Sequence, residues 1–157
     1  MAKEIERKFL VSGDDWRRLA PGIAYRQGYL STVKERTVRV RTVGDKGYLT
    51  VKGLSVGATR SEFEYEISAA DANEMLDSLC EKPIIEKVRY KIPFGDLTWE
   101  VDEFTGVNAG LIVAEVELSD EAQRIAKPDW IGIEVTGDSR YFNANLVASP
   151  YSTWMNR

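Results

Sequence analysis

Charged side chains recur at every second position along several segments of this chain, beginning at Glu4-Ile5-Glu6-Arg7-Lys8-Phe9. In an extended strand, successive side chains point to opposite faces, so Glu4, Glu6 and Lys8 share one face. The same rule assigns further residues to charged faces: Arg39 and Arg41; Glu62, Glu64 and Glu66; Lys87 and Arg89; Glu100 and Asp102; Glu115 and Glu117. The intervening residues are largely apolar, so a sheet of these strands has one charged face and one apolar face.

The same alternation predicts eight strands, joined mostly by hairpin turns. Their predicted bounds are residues 3–11, 25–31, 37–43, 48–52, 60–67, 85–92, 97–104 and 111–118. Turn-forming residues separate neighbouring strands, as in Asp45-Lys46-Gly47 between the third and the fourth. An even number of hairpin-linked strands favours an antiparallel barrel, and we expect the charged faces to line its interior.

Helices interrupt this strand pattern in two or three places. Ser68 begins the clearest helix, because Ala72 and Leu76 follow it at helical spacing. After Ser119 the pattern becomes helical and irregular, with a last helix expected around Phe142. We therefore predict an α+β fold, an eight-stranded antiparallel β-barrel with a charged interior and helices packed on the outside. The 157 residues fit a single domain, residues 1–157.

The composition excludes several kinds of site. Histidine is absent, which rules out a serine–histidine triad, a histidine general base and histidine-bound zinc. Any metal should therefore be hard and oxygen-bound, such as Mg²⁺ or Mn²⁺. A net charge of −4 and a pI near 5.0 disfavour binding to duplex nucleic acid. No apolar run approaches the roughly 20 residues that span a bilayer, and Cys80 is the one cysteine, so we expect a cytoplasmic protein with no membrane partner.

The charges of the proposed inner face have three explanations. A solvated strand face accounts for any one segment, but the same feature recurs on five or six strands. An interior held by ion pairs is costly, since each desolvated ion costs several kcal/mol unless it is closely paired. The third explanation is a ligand that carries both signs of charge. Crowded carboxylates recruit a cation and arginines fork onto phosphate oxygens, so a metal-bound polyphosphate meets both requirements.

Glu4-Ile5-Glu6-Arg7-Lys8 is similar to the E-x-E-x-K signature at the N-terminus of the CYTH domain, or triphosphate tunnel metalloenzyme, family. The resemblance continues in order through residues 37–41, 49–52, 60–67, 87–89, 99–102, 115–117 and 132–138, with Tyr141 and Asn143 after them. It covers essentially the whole chain. One E-x-E-x-K is a weak signal, whereas the ordered set is specific. The resemblance implies an eight-stranded tunnel that binds a triphosphate moiety and a divalent metal.

The resemblance also implies roles for residues of the charged faces. The residues that would bind phosphate oxygens are Lys8, Arg39, Arg41, Lys52, Lys87 and Arg89. The carboxylates that would hold Mg²⁺ or Mn²⁺ are Glu4, Glu6, Asp102, Glu115 and Glu117. The candidates for catalysis are Lys8, Glu62 and Glu64, with Lys8 orienting or helping to activate the attacking water and either glutamate as a further metal ligand.

Proteins of this family carry out tripolyphosphate hydrolysis, thiamine triphosphate hydrolysis or adenylate cyclisation. This short chain most resembles the group that acts on short inorganic polyphosphate. We therefore expect a metal-dependent triphosphatase that hydrolyses inorganic tripolyphosphate to pyrophosphate and phosphate. The alternatives are a nucleoside or thiamine triphosphatase, a class IV-type adenylate cyclase, and a noncatalytic polyphosphate-binding module. The chain's own helices or a second subunit cover the apolar outer face, and a homodimer is the favoured assembly.

Overall fold

All eight predicted strands are present in the computed structural model, which describes residues 3–154. The strands are β1 (Lys3–Val11), β2 (Gly22–Ser31), β3 (Arg36–Val43), β4 (Lys46–Gly53), β5 (Thr59–Ser68), β6 (Ile85–Phe94), β7 (Leu97–Phe104), β8 (Ile112–Glu117) and an additional β9 (Ile131–Glu134). The helix α1 (Ala69–Ser78) lies between β5 and β6. Short 3-10 helices span Asp15–Arg18, Gly106–Asn108, Ser139–Tyr141, Asn143–Leu146 and Tyr151–Thr153.

Eight of the strands close into a barrel. The order around the ring is β1-β5-β4-β3-β2-β6-β7-β8 and back to β1, and every neighbouring pair is antiparallel. Strand β1 closes the ring, because residues 3–5 pair with β5 while residues 6–10 pair with β8. The prediction of an eight-stranded antiparallel barrel is confirmed.

The segment after residue 119 differs from its predicted helical structure. Strand β9 pairs with the end of β1, where Phe9 lies opposite Glu134 and Val11 opposite Ile131. A Cβ on Gly132 would lie 3.2 Å from the carbonyl oxygen of Leu10, so glycine permits this close approach. The expected last helix is reduced to short 3-10 helices at 139–141 and 143–146. Four alternating residues are too few to distinguish a strand from an irregular segment in the sequence.

Apolar packing covers part of the outer face of the barrel, while Phe63 and Tyr65 of β5 are exposed. One buried cluster surrounds Trp99, whose ring lies 5.4 Å from that of Phe9 and 6.2 Å from that of Trp130. A second cluster lies beneath α1, where Ala72 and Leu76 are fully buried against β3 and β4. Burying each large apolar side chain contributes about 1.5–3 kcal/mol, so these layers hold the charged faces inward.

Helix α1 begins where the sequence predicts. The Ser68 hydroxyl accepts a hydrogen bond of 3.0 Å from the Asp71 backbone N–H, which caps the first turn. The helix packs on the outside of the barrel, as predicted. Among residues 3–154, no helix has the length and apolar character needed to cross a membrane.

One end of the barrel interior is apolar rather than charged. Phe104 shares the inner face of β7 with Asp102, and Ile85 shares that of β6 with Lys87. Both pack in a buried cluster with Leu146 of the C-terminal segment. The charged interior predicted from the alternation therefore extends along part of the barrel, and the C-terminal segment packs against the remainder.

Candidate functional site

A cavity of about 680 Å³ lies inside the barrel and is lined mainly by charged side chains. The predicted site residues that line it are Glu4, Glu6, Lys8, Arg39, Arg41, Lys52, Glu62, Glu64, Lys87, Arg89, Glu115 and Glu117. The barrel therefore brings together residues that lie more than 100 positions apart in the sequence. Asp102 is the exception, since it is buried behind this lining.

The register between β1 and β8 builds an acidic cluster, which we define as Glu4, Glu6, Glu115 and Glu117. Glu6 lies opposite Glu117, and Lys8 lies opposite Glu115. The Lys8 Nζ is 3.3 Å from a Glu6 oxygen and 3.2 Å from a Glu115 oxygen. One ammonium group is therefore shared between two carboxylates.

The acidic cluster is too crowded for every carboxylate to ionise at neutral pH. Burial, followed by the charge of Glu115, raises the pKa of Glu6 to about 8. Burial would raise the pKa of Glu115, but the charge of Lys8, with a smaller contribution from hydrogen bonding to Glu6, outweighs burial and keeps this pKa well below its usual range. Burial and the charges of Glu4 and Glu100 also raise the pKa of Glu117. A cation in this cluster would replace the proton on Glu6.

Lys52 joins the acidic cluster to β5. Its Nζ donates to both oxygens of Glu4, at 2.9 and 3.0 Å, and lies 3.4 Å from Glu62. Burial would raise the pKa of Glu4, but the charge and hydrogen bond of Lys52 outweigh burial and lower it. A ligand that binds Lys52 must therefore compete with Glu4.

The opposite charge is concentrated in an arginine cluster, which we define as Arg39, Arg41 and Arg89. Burial lowers the pKa of Arg41, and the positive charges of Arg39 and Arg89 lower it further. The Glu64 carboxylate is the partner of Arg39 at 3.5 Å and of Arg41 at 3.4 Å. The buried Nε atoms of Arg39 and Arg41 have no hydrogen-bond partner among the described residues. These arginines therefore retain donor capacity and positive potential for an anion.

Asp102 forms a separate group with Lys87 and Arg89. Its Oδ1 accepts from the Arg89 Nε at 2.7 Å, and its Oδ2 accepts from the Arg89 Nη2 at 2.9 Å and the Lys87 Nζ at 2.8 Å. Its side chain and that of Lys87 are each 1% exposed. Burial, opposed by the charge of Asp102, lowers the pKa of Lys87 to about 8. Asp102 thus orients two predicted phosphate-binding residues, a placement that does not favour its predicted role as a metal ligand.

The donor chemistry of the acidic cluster suits Mg²⁺ or Mn²⁺, because every candidate ligand is a carboxylate oxygen. Across residues 3–154, no three histidine, cysteine, aspartate or glutamate side chains are already grouped as metal ligands. The Lys8 ammonium lies between two of the candidate ligands, Glu6 and Glu115. The proton on Glu6 and the oxygen ligands fit a divalent cation.

Several residues that line the cavity are missing from the predicted site. They include Tyr25, Tyr29, Arg60, Thr136 and Asn143. Arg60 has the same strand parity as Glu62, so the alternation contained a signal for it. The inner face of β2 carries Tyr25, Gln27 and Tyr29. Because none of these residues is charged, the charge alternation gave no signal that they line the cavity.

The C-terminal segment contributes to the site from outside the ring of strands. The Thr136 hydroxyl accepts from the Lys8 backbone N–H at 2.8 Å. The Asn143 side-chain oxygen accepts from the Gln27 amide at 3.0 Å and from the Lys87 ammonium at 3.2 Å. Through these contacts the C-terminal segment, which has no regular alternation, touches Lys8 and Lys87 of the cavity lining.

The sequence matches the CYTH domain family over residues 2–151. It is 60% identical over 154 residues to an inorganic triphosphatase from Acetivibrio thermocellus, a match that covers 98% of this chain and 99% of that protein. It is 40% identical over 151 residues to an inorganic triphosphatase from Nitrosomonas europaea, covering 93% of this chain and 97% of that protein. A crystal structure of an inorganic triphosphatase has the same fold, with a TM-score of 0.66 and 35% identity over 92% of this chain and 97% of that chain.

Proposed function

The chain belongs to the CYTH domain family, and from that premise we propose that it is an enzyme that hydrolyses inorganic tripolyphosphate to pyrophosphate and phosphate. The water oxygen bonds to a terminal phosphorus, the bond from that phosphorus to the bridging oxygen breaks, and the elements of water are divided between the two products. The name of the relatives, inorganic triphosphatase, supports this substrate class.

One observation carries the proposal: a single cavity holds a cluster of crowded carboxylates and a cluster of crowded arginines. Glu6 retains a proton because of burial and Glu115, whereas burial and the charges of Arg39 and Arg89 lower the pKa of Arg41. A cation relieves the first cluster and an anion relieves the second. A divalent metal bound to a triphosphate relieves both, whereas a neutral sugar or an apolar ligand relieves neither.

The arginine cluster binds the phosphate oxygens, together with Lys52 and Lys87. Arginine forks match the geometry of phosphate oxygens, and the three arginines are largely buried in the cavity wall. Asp102 holds Arg89 from behind, while Glu64 keeps Arg39 and Arg41 together before substrate arrives. Stabilising the charge that spreads over the phosphoryl oxygens is the main catalytic requirement of phosphoryl transfer.

Lys8 acts as a positive charge rather than as a base. Burial disfavours its charge, but Glu115 and Glu6 outweigh burial and raise the pKa of Lys8 above its usual value. The protonated side chain can orient the attacking water or stabilise charge on the terminal phosphoryl group. Glu62 and Glu64 hold Lys52 and the two arginines of β3, so their predicted catalytic role becomes one of positioning.

The acidic cluster would hold a divalent cation, which supplies Lewis-acid charge at the phosphoryl oxygens when bound. Glu6 of β1 lies opposite Glu117 of β8, and Glu115 lies opposite Lys8. Glu4 lies two residues before Glu6 on β1, where that strand pairs with β5. Mg²⁺ and Mn²⁺ both suit this oxygen-only set.

The test is phosphate release from tripolyphosphate with Mg²⁺ or Mn²⁺, measured beside ATP and thiamine triphosphate. We expect metal-dependent release with tripolyphosphate far above that with the other two compounds. Release mainly from ATP or thiamine triphosphate would instead identify the protein as a nucleoside or thiamine triphosphatase. Tight tripolyphosphate binding without release from any compound would contradict the enzyme and favour a binding module.

The cytoplasmic location, the homodimer and the lack of nucleic-acid binding stay predictions from the sequence. Size-exclusion chromatography with light scattering tests the assembly. A mass near 17.7 kDa would contradict the homodimer.

A further inference from the structure

Tyr25 lies between two arginines of the cavity, one from each strand that flanks its own. It belongs to β2, whose neighbours are β3 and β6. The guanidinium carbon of Arg41, on β3, is 5.2 Å from the centre of the Tyr25 ring. The guanidinium carbon of Arg89, on β6, is 4.9 Å from it. Both distances are within the range of a cation–π contact.

The ring is a fixed part of the cavity wall. Tyr25 is 5% exposed and lines the cavity, and its backbone pairs with Val43 on one side and Lys87 on the other. Pairing on both sides fixes the backbone of Tyr25, and burial restricts its ring. The ring therefore presents its π-face to both arginines.

Arg41 depends on this ring more than Arg89 does. Its hydrogen bond to Glu64 is long, at 3.4 Å, and its buried Nε has no hydrogen-bond partner among the described residues. A second ring, that of Tyr48, lies 5.5 Å from its guanidinium carbon. Arg89, by contrast, is forked onto Asp102 at 2.7 and 2.9 Å. Two aromatic contacts thus add to a single long hydrogen bond in orienting Arg41.

An aromatic ring has an advantage over a carboxylate at this position. Arg39, Arg41 and Arg89 repel one another, so some negative potential is needed to keep them close. A carboxylate would supply it but would compete with phosphate for the same N–H donors. The π-face attracts the cations while it leaves their N–H edges free to bind oxygen.

We propose that Tyr25 is a positioning residue that holds Arg41 and Arg89 in the orientation that binds the phosphate oxygens of the substrate. This inference rests on the proposed function, since it assigns the arginines to a polyphosphate ligand. The ring, and not the hydroxyl, carries the role. Phenylalanine should therefore replace tyrosine at this position, whereas leucine should not.

The experiment compares Tyr25→Leu and Tyr25→Phe with the unaltered protein in tripolyphosphate hydrolysis. Two cation–π contacts of modest strength correspond to about a tenfold change in affinity, so Tyr25→Leu should raise KM about tenfold with a smaller change in kcat. Tyr25→Phe should keep KM within about twofold of the original value. An unchanged KM in Tyr25→Leu, or an equal rise in both variants, would overturn the proposal.

The matched control is Tyr90→Leu. Tyr90 is also a tyrosine of the barrel wall, but its ring packs on Trp16, 5.1 Å away, in the outer cluster. This variant should lower the melting temperature while leaving KM unchanged. A rise in KM as large as that of Tyr25→Leu would show a general loss of structure and overturn the proposal.

Binding measured without turnover separates this inference from the proposed function. Isothermal titration of tripolyphosphate into each metal-free protein reports binding by the arginines and lysines of the cavity without the contribution of the metal. If the unaltered protein binds tripolyphosphate but does not hydrolyse it, the enzyme proposal fails, and a tenfold weaker Kd in Tyr25→Leu still supports the role of Tyr25. If the unaltered protein neither binds nor hydrolyses tripolyphosphate, both proposals fail.

Discussion

Two groups of buried charge lie on the inner face of the same barrel wall, and they differ in how completely they are hydrogen-bonded. Asp102 of β7 accepts three short hydrogen bonds from Arg89 and Lys87, and their charges lower its pKa although burial opposes them. Glu6 and Glu115, on β1 and β8, share one ammonium at 3.2–3.3 Å, and burial together with the charge of Glu115 raises the pKa of Glu6 to about 8.

Charge content alone does not distinguish a ligand site from a structural ion pair in this barrel. Both groups contain carboxylates and cations, and all of their members are buried except Glu6, which is half-buried. The Asp102 group has a partner for each carboxylate oxygen, which is typical of a structural support. The Glu6–Glu115 group keeps like charges close together, an arrangement that costs stability and that a bound cation relieves. We infer that Asp102 supports the wall and orients Lys87 and Arg89, whereas the Glu6–Glu115 group binds a cation.

The largest expected effect on stability comes from Asp102→Ala. The change leaves Lys87 and Arg89 buried without their shared acceptor, and breaking a buried ion pair on one side costs about 3–5 kcal/mol. The free energy of unfolding, measured in urea at pH 7, should fall by about that amount.

Glu134→Gln is the matched control for that change. Arg7 forks onto Glu134 at 2.6 and 2.8 Å, but the two side chains are 24% and 36% exposed. Solvent screens this pair, so the substitution should cost less than about 1 kcal/mol. Equal losses in Asp102→Ala and Glu134→Gln would contradict the supporting role of Asp102.

Glu115→Gln should show the opposite pattern, a large loss of activity with a small loss of stability. A bound cation contributes several kcal/mol of charge stabilisation, and about 1.4 kcal/mol corresponds to tenfold in rate. We therefore expect kcat/KM for tripolyphosphate to fall about 100-fold or more. The free energy of unfolding should change by less than about 1 kcal/mol, because Glu6 can then ionise beside Lys8 alone.

Glu103→Gln is the control for Glu115→Gln. Glu103 is a half-buried carboxylate that accepts from Arg17 at 2.5 and 3.1 Å, away from the cavity lining. Its substitution should leave kcat/KM unchanged. Full activity in Glu115→Gln would refute the assignment of the acidic cluster to the metal.

The smallest effect is a pH dependence of stability in the metal-free protein. Glu6 has a pKa of about 8 in the folded chain, against 4.5 as its ordinary value. Between these values the folded state binds more protons than the unfolded state, so stability falls as pH rises from about 4.5 to about 8. The contribution of Glu6 is complete below that window and lost above it.

Urea unfolding at pH 5.5, 7 and 8.5 tests this dependence. We expect a decline on the order of 1–2 kcal/mol across the series, since the Glu6 side chain is 18% exposed and therefore partly screened. Glu6→Gln should flatten the decline, because it removes the titrating group. If the free energy of unfolding fell equally with pH in Glu6→Gln and in the unaltered protein, residues other than Glu6 would cause the decline.

The barrel and most of its lining could be predicted from the sequence, because strand alternation fixes which side chains share a face. Glu4, Glu6 and Lys8 of β1 all line the cavity, as do Glu115 and Glu117 of β8. The cap of α1 at Ser68 was also a local signal. Strand β9 could not be predicted, since it is stabilised by pairing with the distant β1 rather than by its own periodicity. A helix was predicted around Phe142, and Asp138 caps the first of the two short 3-10 helices found there.

The sequence by itself determined that the inner face is charged, that it contains both signs, and that the chain resembles one family. Only the tertiary structure decided which charges meet. Lys8 lies opposite Glu115 because of the register between β1 and β8, which are more than 100 residues apart in the sequence. The placement of Asp102 behind Lys87 and Arg89, and of Tyr25 between two arginines, depends in the same way on packing across strands. Alternation has a period of two along one strand and carries no information about the register between strands, so pairing had to come from closure of the barrel.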